Sequence, residues 1–568
     1  MPACNMSGKL QFSVLCRLGI MKLQLALLAL AGMPLEGQPV VVYRGVLNAA
    51  SLTPPGLPNG GIARGSVFSV FGTGLGPAVG ATVSAFPLGP QFEGVSVSVA
   101  QAGISVSAIP IFVSAGQINA IMPSNTPLGT ASLRVTYNGR TSLGVAVEVA
   151  ENGPGIFAVS SGGFGPGVVQ NFVSEGVQPV NSLGASAARG QVITIWATGL
   201  GRAPFPDNEA PTARDLEVPV TVTIGERDAV RLYAGRSPCC AGVDQIVVRV
   251  PADAPLGCYV PLRIKSGSGV SNTVTMAIGE RSGEGCVDNF NPFSNLLRNT
   301  RRQGMIWLDR TLGYLDGFVP TTEQNTTESL RAYFWERPAS VFAYDPLFSY
   351  PPPGSCVVHQ TSGNVFRGAP LRGMMAAGAA IDVGGAVRVD TPFAGSTEAG
   401  RIDQPAVGYA GVIGSLRAND GVGGLRLDFP NTVTVSYGTV EVKPNATNLF
   451  AWSGRAQLDR IRRSVTTRIA FTPNDFGAVS LLSLVGYSGL QDATTAVVCV
   501  AGPGVDTFVL SPELMANLPE TPERPDGSLA MLGLGVAPLE RAVAFSGSGV
   551  ERGLLLFTQW QTRTVVLQ

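Results

Sequence analysis

Residues 65–76 have the sequence GSVFSVFGTGLG, and a related stretch, GQVITIWATGLG, occupies residues 190–201. Each copy is followed by an apolar strand, a proline and the tripeptide Pro-Leu-Gly. The landmarks that correspond at a constant offset of 128 positions are Gln117 and Gln245, Pro123 and Pro251, and Leu128 and Leu256. Self-similarity over so long a period predicts a duplicated domain.

Each repeat carries short segments that alternate between apolar and polar residues. Residues 95–99 have the sequence VSVSV, and residues 220–224 have VTVTI. Such alternation is typical of a strand with one buried face. About seven strands of this kind per repeat, separated by Gly, Pro and Asn turns, predict antiparallel β-sandwiches over residues 45–150 and 151–280.

The region after the repeats, residues 286–568, has the same alternation of apolar runs and turn residues. We therefore predict an all-β chain whose third domain is also β-rich and sandwich-like. Residues 294–302 fit either a short helix or an extended segment. The predicted strands of this region are residues 305–314, 329–336, 356–360, 380–389, 424–429, 433–442, 466–471, 496–501, 507–510 and 553–559.

The repeat pattern resembles the IPT/TIG type of immunoglobulin-like domain. More closely, it is similar to an uncharacterised C-terminal domain family that is abundant in Solibacter and related Acidobacteria. The stretches that carry the resemblance are residues 48–51, 65–76, 116–119, 153–157 and 271–274. The resemblance covers roughly residues 45–280 and implies an exported immunoglobulin-like β-protein without an established activity. Here the matching region is followed by residues 281–568, so it is not a C-terminal tail.

The N-terminus has the features of a signal peptide. Residues 23–33 form an apolar run that is too short to span a bilayer, and small residues follow near Gly37. Three basic residues precede the run: Lys9, Arg17 and Lys22. We predict that residues 1–37 are removed, with Met1 or Met21 as the start. The mature chain then has no membrane span and is secreted, periplasmic or bound at the cell surface.

Composition excludes several classes of function. Charged residues make up 14% of the 568 residues, the formal net charge is zero, and His359 is the one histidine. A nucleic-acid partner needs a basic surface, which this chain lacks. The glycine-rich motifs have no P-loop lysine, so they predict turns and no phosphate site. We expect no cofactor and no metal.

The cysteines predict disulfides. Cys4 and Cys16 would leave with the leader, and an even number of cysteines remains, as expected for an exported protein. Because a bridge between adjacent residues is strained, we expect Cys239 and Cys240 to pair with Cys258 and Cys286, in an order that the sequence leaves open. The third predicted bridge joins Cys356 and Cys499.

Few residues are candidates for chemistry. His359 lies on a predicted strand without visible catalytic partners, so we expect a partly exposed strand residue. Paired carboxylates could hydrolyse glycosides without a histidine. The scattered candidates are Asp382, Asp390, Asp403, Asp420 and Asp428.

Aromatic and amide side chains could bind a ligand, but a structural role fits them better. Exposed rings can stack on sugars, although core filling is their more common role. The aromatic candidates are Trp307, Trp335, Trp452, Trp560, Tyr314, Tyr333 and Tyr344. Gln117, Asn119 and Gln245 are better explained as side chains that satisfy loop backbone groups.

Two functional hypotheses follow. The first is an exported, non-enzymatic structural or interaction protein whose unknown partner is an extracellular protein or a glycan. The alternative is a secreted hydrolase with a carboxylate site in residues 286–568 and immunoglobulin-like accessory modules. A cleft lined by two facing carboxylates would distinguish the second hypothesis from the first.

Overall fold

The computed structural model describes residues 37–313, 326–365, 379–383, 386–391, 395–402, 408–412, 425–428, 434–437, 452–473, 478–522, 527–537, 539, 542–547 and 549–568. Apart from Gly37, the predicted leader at residues 1–37 lies outside the described residues. No helix in the described part of the chain is long and apolar enough to cross a membrane.

The first unit is an immunoglobulin-like sandwich of eleven strands. They are β1 (Val40–Asn48), β2 (Ile62–Ala63), β3 (Val67–Thr73), β4 (Ala81–Thr82), β5 (Gln91–Phe92), β6 (Val95–Gln101), β7 (Ile104–Val113), β8 (Gln117–Ile121), β9 (Gly129–Tyr137), β10 (Arg140–Thr141) and β11 (Val145–Ala150). One layer has the order β1-β3-β8-β7, and the other has β6-β9-β11-β2. Strand β7 pairs with β6 and with β8, and its pairing with β8 is irregular at residues 110–112. The valines of residues 95–99 are buried between the layers, as their alternation predicted.

The second unit contains twelve strands in two sheets. They are β12 (Gly155–Ile156), β13 (Val169–Asn171), β14 (Ala187–Ala188), β15 (Val192–Thr198), β16 (Arg214–Asp215), β17 (Val220–Ile224), β18 (Arg227–Asp228), β19 (Val230–Arg236), β20 (Asp244–Arg249), β21 (Gly257–Ser266), β22 (Gly269–Val270) and β23 (Val274–Gly279). The sheet orders are β12-β15-β20-β19-β16 and β14-β23-β21-β17-β18.

The two units share one topology. Strands β3, β8 and β7 of the first unit correspond in order to β15, β20 and β19 of the second, and β6, β9, β11 and β2 correspond to β17, β21, β23 and β14. Both short strands β2 and β14 run parallel to their partners. Gly74 and Gly199 occupy the same motif position after β3 and β15, and both have positive φ, +63° and +95°. The duplicated sequence therefore encodes a duplicated fold.

The equivalent glycines provide a matched pair of variants. A Cβ at Gly74 would meet nothing within 4 Å, whereas a Cβ at Gly199 would overlap the carbonyl oxygen of Gly153. We expect Gly74→Ala to cost about 1 kcal/mol through its left-handed backbone. Gly199→Ala should cost about 3 kcal/mol or more, because the backbone must also shift. Urea unfolding of both full-length variants measures this difference, and equal losses would contradict it.

The third unit is β-rich, and most of its strands join one sheet. The strands are β24 (Arg302–Leu312), β25 (Thr326–Glu336), β26 (Ser355–Ser362), β27 (Ala379–Ala380), β28 (Ala386–Thr391), β29 (Gly395–Ile402), β30 (Gly408–Val412), β31 (Leu425–Asp428), β32 (Thr434–Tyr437), β33 (Arg460–Ile461), β34 (Thr467–Ala470), β35 (Val479–Ser488), β36 (Ala493–Ala501), β37 (Thr507–Leu510), β38 (Leu529–Ala537), β39 (Val543–Gly547) and β40 (Val550–Leu567). The central path of the 15-stranded sheet is β26-β36-β35-β38-β40-β24-β25, and β30-β29-β28-β31-β32 continue it.

Both faces of the central strands are covered. One face packs under the separate pair β34-β37 and the short helix α2 (Pro512–Met515). The other face packs against helix α1 (Phe293–Asn299), which resolves the open choice for residues 294–302, and against residues 343–350. Ser511 caps α2 by accepting a hydrogen bond from the Leu514 amide. Because both faces are buried, this sheet provides the core of the third unit.

Three disulfides are present, and one prediction about them was wrong. Cys356 and Cys499 are joined as predicted, on directly paired positions of β26 and β36 with Cα atoms 4.0 Å apart. The other bridges are Cys239–Cys240 and Cys258–Cys286. The predicted cross-pairing fails because Cys239 and Cys240 precede strand β20 and Cys258 follows it. Six strand residues span about 20 Å, so the two sites lie at opposite ends of the sandwich.

Polar contacts join the three units. Between the first and second units, the Ser124 amide and hydroxyl both donate to the Asp207 carboxylate, at 2.6 and 2.8 Å. The first unit also reaches the third, where Thr53 Oγ1 donates to Gln360 Oε1 at 3.0 Å. A further amide pair, Asn59 with Asn517, supports this contact. The first unit therefore contacts both of the others.

Candidate functional site

The chain's one histidine lies in the core between the second and third units. His359 lies on β26 and is 3% exposed, so the expectation of a partly exposed residue was wrong. It is buried where the Phe164 ring of the second unit packs on it. Its Nε2 lies 3.4 Å from the Tyr344 hydroxyl, and the Phe164 ring packs edge-on at 6.1 Å. Nδ1 has no hydrogen-bond partner among the described residues. Burial lowers the pKa of His359 to about 4, so the ring is neutral at pH 7 and a poor general base there.

Acid should destabilise the fold through His359. Its folded-state pKa lies below the unfolded value of about 6.5, so its contribution is complete above pH 6.5 and is lost as pH falls towards 4. Since one pKa unit corresponds to about 1.4 kcal/mol, this shift corresponds to a loss of about 3 kcal/mol. We expect His359→Phe, whose ring suits the aromatic neighbours, to reduce the difference in unfolding free energy between pH 7 and pH 4. Urea unfolding at both pH values tests this, and identical differences in the two proteins would contradict it.

Asp288 is a carboxyl of the second-to-third-unit connection whose pKa is raised towards neutrality. Its Oδ1 accepts hydrogen bonds from the Phe290 and Asn291 amides, and its buried Oδ2 has no partner among the described residues. Desolvation raises the pKa to about 7, against the lowering effect of the two amides. Asp288 follows the Cys258–Cys286 bridge and lies in the segment that leads from the second unit to α1. It is therefore a pH-sensitive point of the inter-unit connection.

Asp288→Asn should stabilise the protein in alkali. The folded-state pKa exceeds the unfolded value, so the wild type is favoured below pH 4 and loses stability as pH rises through 7. Asparagine keeps the Oδ1 acceptor without a charge. At pH 8 we expect a gain of about 1 to 2 kcal/mol, allowing for solvent around a half-buried residue, and a smaller gain at pH 5. Chemical unfolding at the two pH values measures it; a gain that is equal at both would be the contrary result.

A buried ion pair supports the same region. Arg337 donates from Nε and Nη2 to Gln303 Oε1, at 3.1 and 3.0 Å, and its Nη1 lies 3.3 Å from Asp345 Oδ2. Desolvation raises the pKa of Asp345, and the charge of Arg337 opposes that rise. Asp345 also accepts from the Leu347 amide and so shapes the turn that carries Tyr344. Because both side chains are buried, this ion pair has a structural role.

Of the five candidate aspartates, Asp382 is the one whose side chain the structure describes. Asp382 is exposed and forms an ion pair with Arg401. Asp390 lies on β28 and Asp428 on β31, two paired strands whose register places each opposite an arginine position. Asp403 and Asp420 lie outside the described residues.

A carboxylate that the sequence analysis did not select, Asp309, lies deeper in the third unit. It is 1% exposed and accepts two hydrogen bonds from Arg331, at 2.9 and 2.7 Å. The Thr558 hydroxyl of the parallel neighbour β40 also donates to it. Asp309 shares its face of β24 with Trp307 and Thr311, a pattern that matches no catalytic motif. Like Asp345, it is neutralised by an arginine.

The predicted core role of the aromatic residues is supported by their burial. Trp307, Trp335 and Trp452 are each 6–7% exposed, and Tyr344 is 6% exposed. Phe348 stacks against Trp307 and Trp335, with centroids 4.8 and 5.4 Å away. Tyr333 and Trp560 pack partly buried against the same cluster, and Tyr314 lies outside the described residues. The described candidate rings are thus packed in the core, with Trp452 in a separate cluster from the others, and they do not form an exposed sugar platform.

The amide candidates also have internal partners. Gln117 Nε2 donates to Asn119 Oδ1 at 2.9 Å, and the Ser69 hydroxyl donates to the same oxygen. These bonds join β3 to β8 on one face of the sheet. Gln245 lies on β20 opposite Trp196 of β15. For Gln117 and Asn119, hydrogen bonds between side chains of β8 and β3 are present where bonds to loop backbone were expected.

The glycine-rich turns are held by different acceptors in the two repeats. The Leu75 amide donates to the Ala115 carbonyl at 3.0 Å, whereas the equivalent Leu200 amide donates to Asp244 Oδ2 at 2.9 Å. Asp244 is fully buried and forms an ion pair with Arg236, whose Nη2 donates to the Gly201 carbonyl at 2.8 Å. Desolvation raises the pKa of Asp244, and Arg236 opposes it. The motif is a structural turn, as predicted.

The part of the chain that the structure describes contains no group of three or more His, Cys, Asp or Glu side chains placed to hold a metal ion.

Comparisons with known proteins add little beyond the fold class. No family model and no curated protein matches the chain. The extracellular region of plexin A4 is 12% identical over 45% of this chain and 19% of its own, with a TM-score of 0.17. Domains 5–6 of the S-layer protein SbsC are 14% identical over 43% of this chain and 100% of theirs, at 0.14.

A third similar structure is SGBP-B from a xyloglucan utilization locus of Bacteroides uniformis. It is 13% identical over 66% of this chain and 86% of its own, with a TM-score of 0.15. The chain spans between about a fifth and just under half of the first solved chains that it matches. The structure itself defines the class: an all-β protein with tandem immunoglobulin-like units.

Proposed function

We propose that this chain is an exported, non-enzymatic structural or interaction protein that binds an extracellular protein or a glycan. The proposal rests on the burial of His359 between the second and third units. Its aromatic packing and its pKa of about 4 fit a residue that joins two units better than one that transfers protons at neutral pH.

The carboxylates of the third unit support the same proposal. Asp309 and Asp345 are each buried in an ion pair with an arginine, Arg331 and Arg337 respectively. A glycosidase needs one carboxyl that stays protonated beside one that is ionised. Two arginine-neutralised carboxylates on packed elements suit a scaffold better than an acid–base pair.

Export is supported by the cysteines. Disulfides persist in oxidising compartments, and three bridges link the described cysteines of this chain. The leader-like residues 1–37 and the resemblance to IPT/TIG and acidobacterial exported domains favour the same location. A secreted or cell-surface protein of this kind would present the two immunoglobulin-like units and the third unit as one assembly.

The proposal is tested with the secreted chain, residues 38–568. We expect retention of a defined glycan or extracellular protein without turnover when the chain is screened on glycan arrays, on purified surface proteins and on a panel of chromogenic glycosides and esters. The control replaces all five candidate aspartates by asparagine and should bind equally well. Hydrolysis by the wild type that the control lacks would overturn the proposal in favour of the hydrolase.

A further inference from the structure

Of the three disulfides, one is placed to meet solvent. Cys239 is exposed and Cys240 is partly exposed, on the turn between β19 and β20. The other four disulfide cysteines are 2–7% exposed: Cys258, Cys286, Cys356 and Cys499. Thiol–disulfide exchange requires a thiolate to reach a sulfur atom, so access favours the Cys239–Cys240 bridge over the other two.

The same bridge contributes least to global stability. In the chain-entropy model, stabilisation grows with the length of the closed loop. The sequence separations are 143 for Cys356–Cys499, 28 for Cys258–Cys286 and 1 for Cys239–Cys240. A bridge between neighbours restrains its own turn and little else, so opening it should leave the folded units intact.

The restrained turn connects the second unit to the first. Its Gly242 carbonyl accepts a hydrogen bond from Thr198 Oγ1 at 2.7 Å, and the same Oγ1 accepts from the Val67 amide at 2.8 Å. Ala241 and Val243 pack against an apolar cluster that includes Val67. A Cβ at Gly242 would lie 2.8 Å from the Val67 side chain, so the two units touch closely there. The shape of the turn therefore determines this contact.

A neighbouring hydroxyl, that of Ser237, favours attack on one of the two sulfur atoms of the bridge. Ser237 Oγ accepts from the Cys239 amide and lies 3.0 Å from Cys239 Sγ. A disulfide sulfur carries no proton, so the hydroxyl must be the donor in the second contact. The same donor would stabilise Cys239 as a departing thiolate, which places the attack on Cys240.

We propose that the Cys239–Cys240 bridge is an exchange site for small thiols, and that its reduction loosens the contact between the first and second units. A thiolate attacks Cys240 Sγ and forms a mixed disulfide, while Cys239 leaves as a thiolate and takes up a proton. A second thiol attacks the sulfur of the bound small molecule. The products are a small-molecule disulfide and two cysteine thiols, so two thiols supply two electrons and two protons.

The first experiment titrates the full-length native protein with reduced glutathione, alkylates the free thiols and maps the labelled peptides. We expect Cys239 and Cys240 to be labelled at least about tenfold faster than the four buried cysteines. Ser237→Ala should slow this labelling without changing which cysteines react. Labelling of the six disulfide-bonded cysteines together, or of the four buried ones first, would overturn the proposal.

The second experiment follows hydrogen exchange of the Val67 amide before and after reduction. We expect exchange about tenfold faster in the reduced protein, because its acceptor Thr198 loses the support of the turn. The matched control, Thr198→Val, breaks the link without altering the bridge: its Val67 amide should exchange fast already in the oxidised form, and glutathione should still open the bridge. The variant Cys239→Ser/Cys240→Ser should resemble the reduced wild type. Unchanged Val67 exchange in the reduced protein would refute the coupling.

Discussion

The buried ion pair between Arg236 and Asp244 supports much of the second unit and its contact with the first. Asp244 is fully buried and accepts the Leu200 amide, and Arg236 reaches the Gly201 carbonyl. Gly65, the first residue of the other motif copy, lies so close that a Cβ there would overlap Arg236 Nη2. Removing one member of such a pair leaves an uncompensated buried charge, at a cost of about 3 to 5 kcal/mol. One ion pair thus holds the start of one glycine motif against the end of the other.

The two copies of the fold differ in the group that accepts a hydrogen bond from the amide of the glycine turn. In the first unit, a backbone carbonyl at Ala115 satisfies the amide of the glycine turn. In the second, the chain between β19 and β20 leaves the sheet, forms the Cys239–Cys240 turn and packs on the first unit. There the Leu200 amide donates to the Asp244 carboxylate in place of a backbone carbonyl. A buried carboxylate in turn requires a cation, which Arg236 provides.

The second unit also covers an edge of the third. Strand β26 ends the 15-stranded sheet, and an exposed edge would offer unpaired backbone groups to other chains. Arg263 donates to the Cys356 carbonyl at 3.1 Å, and Glu226 accepts the Cys356 amide at 3.3 Å while it pairs with Arg263. Side chains of an immunoglobulin-like unit therefore replace a further strand, and His359 is buried on the same β26.

Period-two alternation was sufficient to predict the all-β class, because the strands of both immunoglobulin-like units have one polar face. The duplicated motif predicted the two units and their turns, because its glycines adopt a positive φ. Strands β35 and β38 were not predicted, since they are buried on both faces and lose that alternation. The sequence also paired Cys356 with Cys499 correctly, from two apolar runs. It could not show that Cys258 pairs with Cys286, that His359 lies under a neighbouring unit, or that the Asp244 carboxylate accepts a hydrogen bond from the Leu200 amide. Those outcomes depend on which elements meet in space, and residues far apart in the chain carry no local pattern that records their contact.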